Sequence, residues 1–500
     1  MTGKDYIWNH LFYNLCLDSL ILMSFLSKIV PFIGFLLLPT IISCKNDEAP
    51  EAETIEDEIT ADSNILDNGV PESDIKNPLT ITPDGSENYL NFDSEYIFDQ
   101  ESLHTFDLVL SEENLNLLNA DPTAEEYVQG MLIFENDTLS PVGIRYKGSI
   151  GAFVGCVDGP NWLEPSGAKI CTKLSMKIKI NWEGKSEKFY GLKKLQFHSM
   201  NNDDSQMHER AGYWLFRQMG VPAPRAVHAR LNINGIYTGV YALVEQIDNR
   251  FIKESFDDKG GNLYKEIWPL NSEGIPYPVD HYLDALKTNE NDHPNVDLIR
   301  DFGQKIAEAS EEDLQEIISI YMNTNEIISY AVVDRLIRND DGAFHWYCDD
   351  GVCTNHNYYW YEEPATQQLH LIPWDLDNAF ENILSNANPV TPIADQWGGS
   401  RNDCEPFGYG PWGLPQKSAA CDKLTRGWTK YTETYETLKM KFINGPLSVA
   451  QIDQQIDSWV TQITEAHQEA SNLYEDAENE ETWMDEINLF KAQLNKARQH

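Results

Sequence analysis

The stretch from Asn339 to Phe380 constrains the architecture of this chain more than any other. An apolar stripe at helical spacing (Ile327, Ile328, Ala331, Val332 and Leu336) runs straight into an Asp-rich loop, Asn339-Asp340-Asp341-Gly342. An aromatic run follows, His356 to Tyr361, then an apolar strand, Leu369 to Pro373, which ends in Trp374-Asp375-Leu376-Asp377. A buried helix feeding one acidic loop, and a hairpin ending in another, suit a site that holds a hard cation beside a phosphate. One loop offers a base to an attacking hydroxyl and the other offers oxygens to Mg²⁺. The competing reading is an acidic surface hairpin in an acidic chain. Against it, Asp375 and Asp377 directly follow an apolar strand, where side chains are positioned rather than solvated.

The chain has 500 residues, a hydrophobic fraction of 41% and a formal net charge of −43. That length holds two to three domain-sized units or one large bilobal domain with extensions. The charge excludes a nucleic-acid or anionic-membrane surface, because both would repel the protein.

The N-terminus carries an apolar run over residues 22–43, ending in Ile41-Ile42-Ser43 before Cys44 and then Lys-Asn-Asp-Glu. An apolar run closed by a small residue and Cys resembles a bacterial lipoprotein signal, with Cys44 lipidated and residues 1–44 forming the signal segment. Met23 is then a candidate true start. Residues 45–95 are acidic and poor in aromatics, which predicts a disordered tether. These features predict an exported protein, lipid-anchored to the outer membrane or cell surface and touching the membrane only through that anchor. Six further cysteines fall as local pairs, Cys156 with Cys171, Cys348 with Cys353 and Cys404 with Cys421. In an exported chain they read as disulfides. A zinc site at Cys348, Cys353 and His356 is the weaker alternative, since no second cysteine pair lies nearby.

Along the chain, Phe106 to Leu110 reads as a strand, Glu112 to Asn119 as a helix opened by Ser111, and Tyr127 to Phe134 as a strand. Val142 to Gly151 is a strand entering a loop whose Gly148 and Ser149 can present amides to phosphate. Thr172 to Ile180 alternates, with Leu174, Met176, Ile178 and Ile180 on one face and Lys173, Ser175, Lys177 and Lys179 on the other. A lysine face in so acidic a chain is either a local positive site or a solvated outer face. Ser205 is the expected cap of a helix carrying Glu209 in its first turn. Asn234-Gly235 predicts a tight hairpin, after which Glu245, Gln246 and Asp248 make a polar exit. Residues 280–335 read as mostly helical, 388–423 as a loop-rich insert, and the chain from Trp428 onward as helical.

This order of parts resembles the CotH family, atypical kinases named after spore-coat protein H. The matching stretches are Val142-Gly-Ile-Arg-Tyr-Lys-Gly148, Leu174-Ser-Met-Lys177, Phe189-Tyr-Gly-Leu-Lys-Lys-Leu195 and Asp204-Ser with Glu209. They continue through Gly220-Val-Pro-Ala-Pro-Arg225, Asn234-Gly-Ile-Tyr-Thr-Gly-Val-Tyr241, Glu245-Gln-Ile-Asp248 and Gly261-Asn-Leu-Tyr-Lys265. Asn339-Asp-Asp-Gly342, His356-Asn-Tyr-Tyr359 and Ile372-Pro-Trp-Asp-Leu-Asp377 complete the set, which runs from about Tyr96 to about His467. The resemblance implies an α+β, bilobal, atypical protein-kinase-like fold. Its β-rich N-lobe would span residues 96–270 and its helical C-lobe residues 271–500.

The family further implies transfer of the ATP γ-phosphate to protein Ser or Thr hydroxyls with Mg²⁺ or Mn²⁺. Asp341 then resembles the catalytic Asp, Asp375 the metal-holding Asp, and Asp377 and Asn357 its helpers. Lys177 is the choice for the nucleotide lysine with Glu209 as its ion-pair partner, and Lys173 and Lys179 remain open because the strand face does not choose among them. Arg145, Lys147, Gly148 and Ser149 would cover the phosphates, and Glu245 would sit at the cofactor hinge. A strongly negative kinase suits a basic or Ser-rich protein substrate. The alternative function is a non-catalytic surface binding protein on a kinase-like scaffold, whose acidic loops would hold Ca²⁺ structurally. Convergence of Asp341, Asp375 and a strand lysine separates the two.

Overall fold

The computed structural model describes Thr80–Ile81, Glu87–Asn88 and residues 94–499, apart from 149, 160–164, 291–293, 386–403 and 410–412. The expected signal segment with Cys44, nearly all of the tether, and Ser149 lie outside the described residues. Thr80–Ile81 and Glu87–Asn88 form a two-residue antiparallel ribbon. Among the described residues, no helix is long and apolar enough to cross a membrane.

Seven strands close into a barrel: β1 (His104–Leu110), β2 (Val128–Phe134), β3 (Asp137–Tyr146), β4 (Met176–Lys179), β5 (Lys194–His198), β6 (Ala226–Ile233) and β7 (Ile236–Val244). Their spatial order is β1-β2-β3-β4-β5-β7-β6, and a parallel β1–β6 pairing closes the ring. Closure leaves no sheet edge to cover. Period-two alternation drives the barrel interior, where Phe106, Leu132, Phe134, Ile144, Met176, Ile178, Phe197 and Leu243 are buried together. Leu174 and Ile180 join them, as the alternation predicts. Regular pairing in this strand begins only at Met176, since Cys171 is bonded to Cys156 and leads the chain in irregularly. Asn234 and Gly235 turn β6 into β7 at φ 52° and 77°, the left-handed pair that suits the twist of a tight hairpin. The Asn234 side chain also accepts from the Leu110 amide, tying the turn to β1.

A second, larger core is built from helices and two small sheets. Its longer helices, with α1 (Glu112–Ala120) standing beside the barrel, are α2 (His208–Gln218), α3 (Asp297–Glu308), α4 (Leu314–Tyr321), α5 (Thr324–Ile337), α6 (Thr432–Asn444), α7 (Gln454–Leu473) and α8 (Glu480–Ala497). One sheet pairs β8 (Leu263–Lys265) with β11 (Tyr358–Glu363) and β12 (Gln368–Pro373). The other has the order β10-β9-β14-β13, from β9 (Trp346–Asp349), β10 (Val352–Thr354), β13 (Phe407–Tyr409) and β14 (Leu414–Lys417). All three local cysteine pairs are disulfides, so the Cys348 and Cys353 sulfurs close a hairpin and not a zinc site. The molecule is therefore mixed α and β, of the α+β type.

β8 precedes residue 270 and pairs with β11. One local expectation changes. Ser205 does not cap α2. Gln206 turns at φ 63°, and this lets the Asp203 carboxylate accept from the His208 amide at 2.7 Å instead.

Candidate functional site

The site grows from the last rows of the β3-β4-β5 ladder. Arg145, Lys177 and Gln196 are directly opposite one another in register. The next row, the last of the paired ladder, is Tyr146, Met176 and Phe197, which faces the barrel core. One step further come Lys147, Ser175 and His198, back on the outer face, with the Lys147 amide donating to the Ser175 carbonyl at 2.9 Å. That row meets α2. The Lys147 ammonium donates to His198 Nε2 at 2.8 Å, and His198 Nδ1 donates to the Glu209 carboxylate at 2.8 Å. The ring is thereby fixed as the neutral tautomer protonated on Nδ1. Lys147 also lies over the Trp374 ring, 5.5 Å from its centre.

The lysine brought to Glu209 is thus Lys147, through a histidine, and not Lys177, which sits two residues or roughly 7 Å along the strand face. Lys173 donates to the Val240 carbonyl at 3.0 Å, and Lys179 lies over Trp182. Glu245 pairs with Arg225, accepting from its amide and its Nε at 3.0 Å. Arg145 and the Gly148 amide both meet Glu125, each at 2.9 Å.

Helix α2 presents a second group one turn after Glu209. Tyr213 Oη accepts from the Asp375 amide at 2.9 Å, which anchors a residue held at φ 55°. Gly212, between them, faces Leu376 so closely that a Cβ would stand 2.8 Å from its Cδ1. The Trp374–Asp377 turn can therefore press against the helix only because position 212 has no side chain. His198, Glu209 and Asp375 each offer a ligand atom, all within 4.8 Å of one another.

The Asp341 loop is positioned by the end of α5. Arg338 ends the helix at φ 46°. The buried Asp334 carboxylate receives Arg335 at 3.0 Å and the Asn339 side chain at 3.1 Å. Burial raises the Asp334 pKa to about 6, against the pull of Arg335 and Asn339. Gly342 packs on Asn339, where a Cβ would lie 2.2 Å from Nδ2.

Asp341 is gripped on both oxygens. Tyr347 Oη donates to Oδ1 at 2.8 Å, His356 Nε2 to the same oxygen at 2.7 Å, and Asn357 Nδ2 to Oδ2 at 2.9 Å. Burial alone would raise Asp341, but His356 and Tyr347 outweigh it and hold the carboxyl below its usual value. Burial likewise works against the His356 charge, yet Asp341 carries that ring up to about 9.

Asp375 is raised to about 6 by burial and then by Glu209, while His198 and Lys147 pull the other way. Asp377 is pushed well above the carboxylate range by burial, Asp375, Glu209 and Asp341. Four carboxylates, Glu209 buried and Asp341, Asp375 and Asp377 half-buried, therefore feel one another. A divalent cation would find oxygen ligands at Asp375 and Glu209, whose ligand atoms lie within 4.8 Å of one another, and Asp377 is close enough to Asp375 to perturb its charge.

The model of the CotH kinase protein family matches residues 144–500. The chain belongs to the CotH kinase family. The inner spore coat protein H of Bacillus subtilis (strain 168) is 24% identical over 199 residues, covering 38% of this chain and 50% of that protein. The chain thus spans half the length of that curated relative. In this CotH family member the tripeptide Asp301-Phe302-Gly303 spells a metal-binding signature of eukaryotic kinases. It lies inside α3, where Asp301 accepts from Tyr321.

Sequence reading gave no role to His198, Tyr213 or Tyr347. His198 was within reach of it, because the alternation that runs through Lys194 and Gln196 puts His198 on the same face. Tyr213 lies four residues after Glu209, the spacing that shares a helix face.

Proposed function

We propose that this protein is an atypical protein kinase that transfers the γ-phosphate of ATP to Ser or Thr hydroxyls of a protein substrate, with Mg²⁺ or Mn²⁺. Family membership supports a kinase-like function. The observation that carries the finer reading is the convergence of Asp341, Asp375 and the Lys147–His198–Glu209 relay. Asp341 and Asp375 are close enough to perturb each other's charge, and so are Lys147 and Asp375. A purely structural acidic hairpin has no use for a lysine relayed to the same carboxylates. In this reading Lys147 steers the nucleotide phosphates, with Glu209 and His198 fixing its ammonium. Asp375 and Asp377 hold the cation, and Asp341 orients the acceptor hydroxyl. The cation supplies charge neutralisation at the transferring phosphoryl group.

The acid excess suits a basic or Ser-rich protein partner and disfavours nucleic acid. The segment before Cys44 supports export and attachment by a lipid at that cysteine to the outer membrane or cell surface. The test is transfer of labelled phosphate from ATP by the purified chain with Mn²⁺ or Mg²⁺, beside Asp341→Ala and Asp375→Ala. Incorporation by the wild type that both variants lose is the expected result. No incorporation, with no nucleotide-dependent rise in melting temperature, would overturn the reading in favour of a binding scaffold.

A further inference from the structure

We propose that the disulfide-closed β9-β10 hairpin lying between Asp341 and Asn357 in sequence belongs to the phosphotransfer site, and that it carries Tyr347 as a positioning residue for Asp341. The inference rests on the acceptor-orienting role given to Asp341 above.

A carboxylate on a loop rotates about its last bond and exchanges its two oxygens. Three fixed donors remove that freedom. Asn357, beside the first residue of β11, holds Oδ2 at 2.9 Å. His356 and Tyr347 share Oδ1 at 2.7 and 2.8 Å, and their rings stack with centres 4.9 Å apart and planes within 20°. The one lone pair left free, on Oδ2, then faces one direction, which pre-organises the approach of an acceptor hydroxyl.

Tyr347 owes its place to β9. On one side β9 pairs with β10, where Tyr347 stands opposite Thr354 and Cys348 opposite its disulfide partner Cys353. On the other side it pairs with β14, where Tyr347 stands opposite the buried Gln416. The chain leading to β13 and β14 is closed by Cys404–Cys421, and Lys417 donates to the Ser272 carbonyl at 2.9 Å. Strands of three and four residues make a marginal sheet unaided, and the hairpin tip from Asp349 to Val352 is exposed. The covalent closure one residue from Tyr347 is what keeps its phenol on Asp341.

The experiment is a double-mutant cycle in the full chain. Tyr347→Phe and Asp341→Asn are combined, and unfolding is followed in urea, in the native background and in Cys348→Ser/Cys353→Ser. The expected result is non-additivity of at least about fivefold in the unfolding constant, as for a hydrogen bond to a charged group. It shrinks when the cysteines are replaced. In phosphate transfer, with activity normalised to the folded fraction read from the same unfolding curves, Tyr347→Phe lowers kcat about tenfold and leaves KM for ATP unchanged, a loss per folded molecule that general destabilisation would not give. An additive cycle, or wild-type kcat in Tyr347→Phe where Asp341→Ala is inactive, overturns the inference and leaves the kinase reading standing. If the wild type transfers no phosphate, the kinase reading fails, and the cycle alone decides whether the sheet grips Asp341.

Discussion

The Asp341–His356 pair makes stability depend on pH with a definite sign. His356 is raised from its usual value near 6.5 to about 9. A raised histidine contributes stability that is fully present below about 6.5 and is lost as pH rises through about 9. The interval of about 2.5 pH, at about 1.36 kcal/mol for each, corresponds to about 3 kcal/mol. The His356 side chain is 30% exposed, and solvent screening reduces the figure to about 2 kcal/mol. Asp341→Asn removes the charge that raises the histidine, so burial then favours the neutral ring and the pH dependence disappears. The same substitution also relieves repulsion at Asp375 and Asp377. That relief shifts the variant's stability in the opposite direction, so the absolute gap is less informative than its slope. Urea unfolding of both proteins at intervals from pH 6 to pH 10 measures it. The wild type should lose about 2 kcal/mol relative to Asp341→Asn across this range, most of it between about pH 7 and pH 9. Parallel curves, with one constant gap throughout, would refute the claim that Asp341 holds a charged His356.

Three further outcomes follow from the same geometry. Asp375 is raised to about 6, so protons compete for the cation site as pH falls through that value, and Mn²⁺ affinity measured by calorimetry should weaken about tenfold for each pH unit below it. Unchanged affinity at pH 5 would remove Asp375 from the ligand set. Gly212→Ala sets a methyl group against Leu376 and should destabilise the protein by about 1–3 kcal/mol in urea unfolding, whereas Gly235→Ala strains a turn and leaves cation affinity intact. Glu125 occupies both Arg145 and the Gly148 amide, as a phosphate would, so Glu125→Gln should tighten ATP binding severalfold by calorimetry. Weaker binding would make Glu125 a support of the glycine loop rather than a competitor for it.

What the sequence disclosed and what it withheld divide along a physical line. Alternation is a property of the strand itself. It therefore put Leu174, Met176, Ile178 and Ile180 on one face, the buried one, and the lysines opposite them, and helical spacing marked Ile327 to Leu336 as the apolar stripe of what is α5. Three cysteine pairs close in sequence needed no tertiary knowledge to be joined. The choice among lysines is different in kind. Arg145, Lys177 and Gln196 make one row, and Lys147, Ser175 and His198 make the next on that face. Nothing within β4 says which row α2 will dock against. That is decided by the close approach of Gly212 to Leu376 and by Asp203, which starts the helix three residues after Ser205 and so sets where Glu209 falls. Each contact joins segments far apart or turns on a backbone angle that composition does not report. A period-two pattern thus resolves a face and leaves the row undetermined. The way to read the row from a sequence is to look for a second polar residue that the site also needs. His198, level with Lys147 and bonded to Glu209, is that residue, and a search for a lysine partnered only by Glu209 passes over it.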